Sequence, residues 1–274
     1  MDRYAVIGNP VEHSLSPRIH SAFAAQTQQR MEYGKLHCPV DRFAERAREF
    51  FAAGGRGLNV TVPFKGAAAE LADALDADAG AAAAVNTLHA TDSGLRGYNT
   101  DGAGLVQDLT GNLGLALGGQ SILILGAGGA TQGIVRPLLA QGIGALTIAN
   151  RTESKAAALI AALASQYPGA ELRACALDAV SGSFDLLINA TSAGLANEGD
   201  LIDAHLARGR FCYDLLYAAP GSTTAYCRWA RSAGADTADG LGMLVEQAAL
   251  AFQIWRGLRP ETAPVLADLR GAHR

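Results

Sequence analysis

The feature that most constrains the fold is a short apolar run that ends in a glycine cluster and passes at once into a helix. Ile122-Leu123-Ile124-Leu125 leads into Gly126-Ala127-Gly128-Gly129-Ala130, with Gly133 further on. Glycines let the chain turn sharply and let a pyrophosphate approach backbone amides, and a helix start adds unpaired N–H groups with a partial positive charge. A lone glycine pattern is weak evidence. This one has the strand before it and the helix after it that a dinucleotide site requires, so a plain strand-to-helix turn is the poorer reading.

The same alternation runs through most of the chain. Strand-like runs fall at Tyr4–Ile7, Tyr33–His37, Leu58–Val62, Thr87–His89, Ser121–Leu125, Ala145–Ala149, Phe184–Asn189 and Arg210–Asp214. Helical stretches include Pro17–Gln26, Phe43–Ala53, Lys65–Leu75, Ala130–Gln141 and Ser154–Ala164. Parallel strands need crossover connections, so the pattern predicts an α/β fold of mostly parallel sheets with helices on both faces. Glycines between Gly111 and Gly119 punctuate the chain just before the nucleotide-type motif, as at a join. Two domains with a cleft between them are expected. The last helices, Leu241–Arg256 and Pro260–Leu269, either complete the second domain or cross back to the first.

Composition removes several classes of function. With 49% hydrophobic and 18% charged residues in 274, the chain has ample core and is no disordered regulator. A net charge of −4 leaves no basic surplus for nucleic acid. No apolar run reaches the roughly 18 residues that span a bilayer, and the first residues enter a strand without the apolar core of a signal peptide. Cys38, Cys175, Cys212 and Cys227 are scattered, without a Cys-x-x-Cys, so no metal site is expected and reduced thiols of a cytoplasmic protein are.

The end of the second strand after the glycine motif reads Asn150-Arg151-Thr152, with Lys155 close behind. An NAD-preferring fold usually places an acidic residue there for the ribose hydroxyls. Arg151 and Lys155 can instead bracket a 2′-phosphate, with Asn150 and Thr152 donating to it, which points to NADP. The plainer alternative is a solvated helix start capped by Thr152.

The amino-terminal half carries polar groups at element ends. Ser14 and Ser16 can aim two hydroxyls at a small anion, although Ser16 also reads as a helix cap before Pro17. Alternation along Asn59-Val60-Thr61-Val62 puts Asn59 and Thr61 on one face, and Lys65 lies just past the strand's carboxyl end, where ligands bind in open α/β sheets. Asn86-Thr87 and Asn99-Thr100-Asp101 add amides and a carboxylate. Together these groups suit a small, hydroxyl-rich, anionic molecule.

These motifs, with Gly8-Asn9-Pro10, Val85-Asn86-Thr87, Asn189-Ala190-Thr191-Ser192 and Asp239-Gly240-Leu241-Gly242-Met243-Leu244, occur in the order and spacing of one family. The chain resembles, end to end, the NADP-dependent shikimate dehydrogenases of the shikimate/quinate dehydrogenase family. The resemblance implies a substrate domain of residues 1–101 completed by helices in 241–274, and a Rossmann-like NADP domain at 102–240. It implies a catalytic lysine at Lys65 paired with Asp101, and a substrate carboxylate held by Ser14 and Ser16. Asn59, Thr61, Asn86, Asp101, Tyr217 and Gln247 fall among groups that contact ring hydroxyls or shape the pocket. Gly126, Ala127, Gly128, Gly129, Ala130, Asn150, Arg151, Thr152, Lys155 and Thr191 fall at cofactor positions, and Leu215 and Gly240 match positions near the nicotinamide.

The implied reaction is reversible reduction of 3-dehydroshikimate to shikimate, in aromatic amino-acid biosynthesis. Its partners are a small-molecule substrate and NADP; a monomer and a homodimer both remain open. Asp101 as an adjacent anion holds Lys65 charged and aimed, which suits proton donation. The alternatives are a broader quinate/shikimate enzyme and a non-catalytic NADP- or metabolite-binding paralogue. The chain departs from the family pattern at Ala83, where glycine is common, at Ala77, where an acidic residue is frequent, and at Lys155, where arginine is frequent.

Overall fold

A computed structural model describes residues 1–191, 201–219 and 221–271. Ser192 and the final residues 272–274 of the C-terminal segment lie outside the described residues. The chain forms two compact units, one of Met1–Gly104 with Leu244–Asp268, the other of Leu105–Met243 with the residues from Leu269 onward. The joins fall at residues 104–105 and 243–244, inside helices that start at Asp101 and Leu241.

In the first unit β1 (Asp2–Gly8) pairs in parallel with β2 (Met31–His37) and β3 (Gly55–Val60). The sheet then turns antiparallel through β5 (Thr87–Thr91) and β6 (Gly94–Tyr98), with the two-residue β4 (Ala74–Leu75) at its edge. That hairpin departs from the expected parallel pattern, and its second strand, Gly-Leu-Arg-Gly-Tyr, has too few apolar residues to stand out. Two boundaries also move. β3 ends at Val60 rather than Val62, because the chain enters a turn in which Phe64 N–H donates to the Thr61 carbonyl at 3.0 Å. Helix α3 (Lys65–Leu71) stops short of residue 75, because Asp73 N–H is taken by the Leu95 carbonyl at 2.8 Å and the chain enters β4.

α1 (Ser16–Gln26) and α9 (Leu241–Arg256) build the aromatic part of this core. Trp255 donates its indole N–H to the Leu88 carbonyl at 3.1 Å, and Arg18 pairs with Asp268 at 2.6 Å, so the C-terminal helices pack on the first unit's sheet and α1.

The second unit holds a six-stranded, all-parallel sheet in the order β9-β8-β7-β10-β11-β12. Its strands are β7 (Ser121–Leu125), β8 (Ala145–Asn150), β9 (Glu171–Ala176), β10 (Leu186–Asn189), β11 (Phe211–Asp214) and β12 (Asp236–Asp239). Counted from β7 this is the 3-2-1-4-5-6 order of the doubly wound dinucleotide fold. The apolar run of β7 follows from burial on both faces: Ile122 and Ile124 enter one core cluster, Leu123 and Leu125 the other. β9 was not expected, since its Glu171 and Arg173 belong to an edge strand half open to solvent.

His20 of α1 is fully buried, stacked on Tyr33 with centroids 4.2 Å apart and ringed by Phe23, Phe252 and Trp255. Desolvation lowers its pKa to about 3. The unfolded chain therefore takes up a proton near pH 6.5 that the folded one refuses, so stability present above pH 6.5 is lost as the pH falls. Between pH 6.5 and 5 this amounts to about 2 kcal/mol. Denaturant titrations at both pH values should show that loss in the wild type and a markedly smaller one in His20→Phe; equal losses would exclude His20 as the cause.

Candidate active site

Four elements of the first unit bring polar groups together. Lys65 is the first residue of α3, Asn86 immediately precedes β5, and Asp101 is the first residue of α5 (Asp101–Gln107). Gln247 comes from α9. Ser14 lies in the β1–α1 connection and Ser16 opens α1. The Lys65 ammonium donates to Asp101 Oδ2 at 2.6 Å, a short charge-assisted bond. The lysine side chain is 29% exposed and the aspartate 13%, so the cation faces the open side of the pair.

Behind them Asn86 is buried and has no free orientation. Its Oδ1 accepts from Thr100 N–H at 2.9 Å, and its Nδ2 donates to Asp101 Oδ1 at 2.8 Å and reaches Gln247 Oε1 at 3.3 Å. Asn99 accepts from Asp101 N–H at 3.1 Å and donates to the Ala84 carbonyl at 3.0 Å, fixing the start of α5. A carboxylate with both oxygens engaged and an ammonium open on one side can hand a proton to a bound oxygen.

The remaining expected substrate residues are placed differently from one another. Ser14 Oγ accepts from Ser16 N–H at 3.3 Å, and α1 begins at Ser16, so Ser16 is not the side-chain cap of the helix. Thr61 lies one residue past the end of β3, and its N–H still donates to the Ile7 carbonyl at 3.0 Å. Asn59 turns inward: its Oδ1 accepts from the Tyr33 hydroxyl at 2.6 Å, and its Nδ2 faces the Asn86 carbonyl at 3.3 Å and Thr87 Oγ1 at 3.1 Å. Thr61 is half-buried. Tyr217 belongs to the second unit and is 37% exposed.

In the second unit the glycine turn has the shape its sequence implies. Gly126 has φ +104°, and a Cβ there would lie 3.1 Å from the Ala190 carbonyl oxygen. Gly128 and Gly129 face open space, and α6 (Gly129–Leu139) starts with no side-chain cap, so the N–H groups at Gly129 and Ala130 point toward an unfilled approach. Asn150 accepts from Ala127 N–H at 3.1 Å and donates to the Thr152 carbonyl at 2.8 Å. Its amide thus clamps the turn, and Arg151, Thr152 and Lys155 beside it are exposed. Thr152 precedes α7 (Glu153–Ala164) without making a cap bond.

Two further positions are set by a buried pair. Thr191 donates through N–H and Oγ1 to Asn189 Oδ1, at 3.0 and 2.7 Å, and Asn189 donates to Asp214 Oδ1 at 2.9 Å. Burial pushes the Asp214 carboxyl up. Asp214 also accepts from Leu216 N–H at 3.2 Å, which fixes the turn bearing Leu215. A Cβ on Gly240 would sit 2.3 Å from the Leu215 carbonyl oxygen, so only glycine fits there. Sequence reasoning missed Tyr33, Asn189 and Asp214 as supports. Thr87 and Thr100 stood in motifs that were noticed, without a role.

Among the described residues no group of three or more His, Cys, Asp or Glu is placed to hold a metal, and the four cysteines are free. No helix is long and apolar enough to cross a membrane among those residues.

The shikimate dehydrogenase substrate-binding-domain family matches residues 6–88, the shikimate/quinate 5-dehydrogenase family residues 108–202, and the shikimate 5′-dehydrogenase C-terminal-domain family residues 240–270. A shikimate dehydrogenase (NADP(+)) of Alkalilimnicola ehrlichii is 52% identical over 271 residues, covering 98% of each chain. The chain belongs to the shikimate dehydrogenase family. Among solved structures, an Ael1 enzyme from Pseudomonas putida is 42% identical with a TM-score of 0.90 over 98% of each chain. The shikimate 5-dehydrogenase of Thermus thermophilus, in complex with NADP(H) and shikimate, is 33% identical with a TM-score of 0.85, covering 99% of this chain and 100% of that one.

The departure from the shikimate dehydrogenase pattern at Ala83 now has a physical content. Ala83 ends α4 (Ala77–Ala82) in the left-handed region at φ 46°, ψ 37°, and opens the turn that delivers Asn86. Asp76 caps that helix by accepting from Ala79 N–H at 2.7 Å. An L-residue in that region costs about 1–2 kcal/mol, partly offset by the extra freedom glycine gives the unfolded chain. Ala83→Gly should therefore raise Tm by about 2 °C in a thermal melt, with activity unchanged; a fall would mean the turn is not strained.

Proposed function

We propose that the protein catalyses the reversible NADPH-dependent reduction of 3-dehydroshikimate to shikimate. The observation that carries this reading is the Lys65–Asp101 pair, held at 2.6 Å with its cation half open, in a chain of this family. The polar groups around it are hydroxyls and amides, which suit a polyhydroxylated ring. Ser14 and Ser16 take the substrate carboxylate beside the start of α1, and Thr61, Asn86 and Gln247 meet ring hydroxyls.

The second unit fits NADP by its own geometry. The open Gly128–Gly129 backbone and the uncapped N-terminus of α6 provide amides for the pyrophosphate. Arg151 and Lys155 supply charge for the 2′-phosphate, Thr152 a hydroxyl, and Asn150 the clamp that holds the turn. Thr191, Leu215 and Gly240 line the nicotinamide end. The bound cofactor supplies the hydride. Lys65 supplies the proton: its ammonium donates to the carbonyl oxygen of 3-dehydroshikimate during reduction, and the neutral amine takes the hydroxyl proton of shikimate in the reverse direction. Asp101 keeps the amine aimed along that path. The chain accordingly works on small molecules, without nucleic acid, in the cytoplasm where its free thiols stay reduced.

Initial rates with shikimate and quinate, each against NADP and NAD, test the whole reading. Turnover confined to shikimate with NADP is expected. Comparable rates with quinate or NAD would move the protein to the broader branch, and binding of NADP without turnover would make it a sensor. Lys65→Ala should lower kcat by roughly 10²–10⁴-fold while shikimate Kd, measured calorimetrically, changes by less than about threefold. Equal losses in both would remove Lys65 from the chemistry. Arg151→Ala should raise the KM for NADP by about tenfold or more and leave that for NAD nearly constant, as expected of one lost charged phosphate contact. An unchanged NADP/NAD ratio would place the 2′-phosphate elsewhere.

A further inference from the structure

The inner oxygen of Asp101 ends a chain of hydrogen bonds that begins at Tyr33 of β2 and crosses one face of the sheet. The Tyr33 hydroxyl donates to Asn59 Oδ1 at 2.6 Å, and Asn59 Nδ2 donates to Thr87 Oγ1 at 3.1 Å. Thr87 Oγ1 donates to Asn86 Oδ1 at 3.0 Å, and Asn86 Nδ2 donates to Asp101 Oδ1 at 2.8 Å. Thr87 is fully buried, and Asn86 and Asn59 are 2% and 6% exposed, so water takes no part in the interior of the chain.

Its direction is forced by two backbone groups. The Asn86 carbonyl can only accept, and it faces Asn59 Nδ2 at 3.3 Å, which leaves Asn59 Oδ1 for the Tyr33 hydroxyl. Thr100 N–H can only donate, and it faces Asn86 Oδ1 at 2.9 Å, which leaves Asn86 Nδ2 for Asp101. Neither amide can flip without setting like against like. The Thr87 hydroxyl lies between an amide nitrogen and an amide oxygen, so it accepts from the first and donates to the second. Every donor thus points toward the carboxylate, and bonds aligned in this way polarise one another. Tyr33 is held at the far end by its stack on His20.

We infer that Thr87, with Asn59 and Tyr33 behind it, is a positioning residue for the proton-transfer pair. It acts through Asn86, whose amide saturates Asp101 Oδ1 and leaves Oδ2 alone to receive and aim Lys65. This rests on the function proposed above and adds to it three residues that reach the lysine only through others.

The test compares Thr87→Val, Thr87→Ser and Tyr33→Phe with the wild type in shikimate oxidation by NADP. Thr87→Val should lose about tenfold in kcat with shikimate KM within about threefold, Thr87→Ser should recover to within about twofold, and Tyr33→Phe should lose less than Thr87→Val. Wild-type kcat in Thr87→Val, a serine variant as poor as the valine, or a loss carried by KM alone would overturn the relay. A second measurement is independent of turnover: melts of Thr87→Val, Asp101→Asn and the double variant. The relay requires the double variant to lose less Tm than the two single losses added, and additivity would overturn it. Should Thr87→Val fail to fold, Tyr33→Phe replaces it in the same comparisons, with the same outcomes decisive. A wild type inert toward shikimate and NADP would defeat the proposed function, while the melting cycle would still decide the relay.

Discussion

The amide of Asn86 is pinned between a backbone donor and a carboxylate, and the rest of the first unit's site is arranged around that constraint. A buried amide left without partners loses the full cost of its desolvation, on the order of 1–3 kcal/mol, so its surroundings cannot drift independently. Val85, its neighbour in the chain, donates its N–H to the Lys65 carbonyl at 2.9 Å. Two consecutive residues therefore hold both members of the pair, the lysine by its backbone and the aspartate by its side chain. Asn86 N–H is in turn taken by the Tyr98 carbonyl at 3.0 Å, which ties the arrangement to the β5–β6 hairpin. That antiparallel hairpin is what brings a residue from before β5 against one just after β6.

The second unit meets a comparable demand with backbone. In its strand order β7 and β10 are neighbours whose connections leave in opposite directions, the place where such sheets open a crevice. Gly126 follows one strand and Ala190 the other, and they pack closely enough that a Cβ on Gly126 would lie 3.1 Å from the Ala190 carbonyl oxygen. Amides of a turn and a helix start carry no side-chain identity to lose. In the function proposed, selectivity there falls instead to Arg151 and Lys155, which follow the end of β8 and stand in the first turn of α7.

This difference governs what could be read from the chain beforehand. The cradle was legible because strand, turn and helix are contiguous, and each glycine answers to a local requirement. Lys65 and Asp101 were legible as individual polar groups at element ends, but their pairing spans 36 positions and rested on the family likeness rather than on spacing. Tyr33 was not legible, since a tyrosine in a strand looks like core, and its partner Asn59 lies 26 positions away. The end of β3 was not legible either: strand alternation assigns a side to a residue only while the strand lasts, and β3 gives way to a turn directly after Val60. His20 illustrates the converse, a polar residue on a helix whose complete burial nothing in its immediate neighbours announces.

The asymmetry of the pair explains why such support is needed. Two fully buried charges would each lose their hydration, and their attraction rarely compensates for it. Here the cost is divided unequally. The ammonium keeps contact with the open side, 29% exposed, while the carboxylate, at 13%, relies on fixed donors in place of water. In the proton transfer we propose, an anion solvated by protein dipoles does not reorganise when the lysine gives up its proton, so the amine stays aimed through the step. Water at the inner oxygen would serve the charge equally well but not its direction. The row of donors ending on Asp101 Oδ1 therefore does for the pair what solvent could not, and it does so through residues that need no contact with the molecule being reduced.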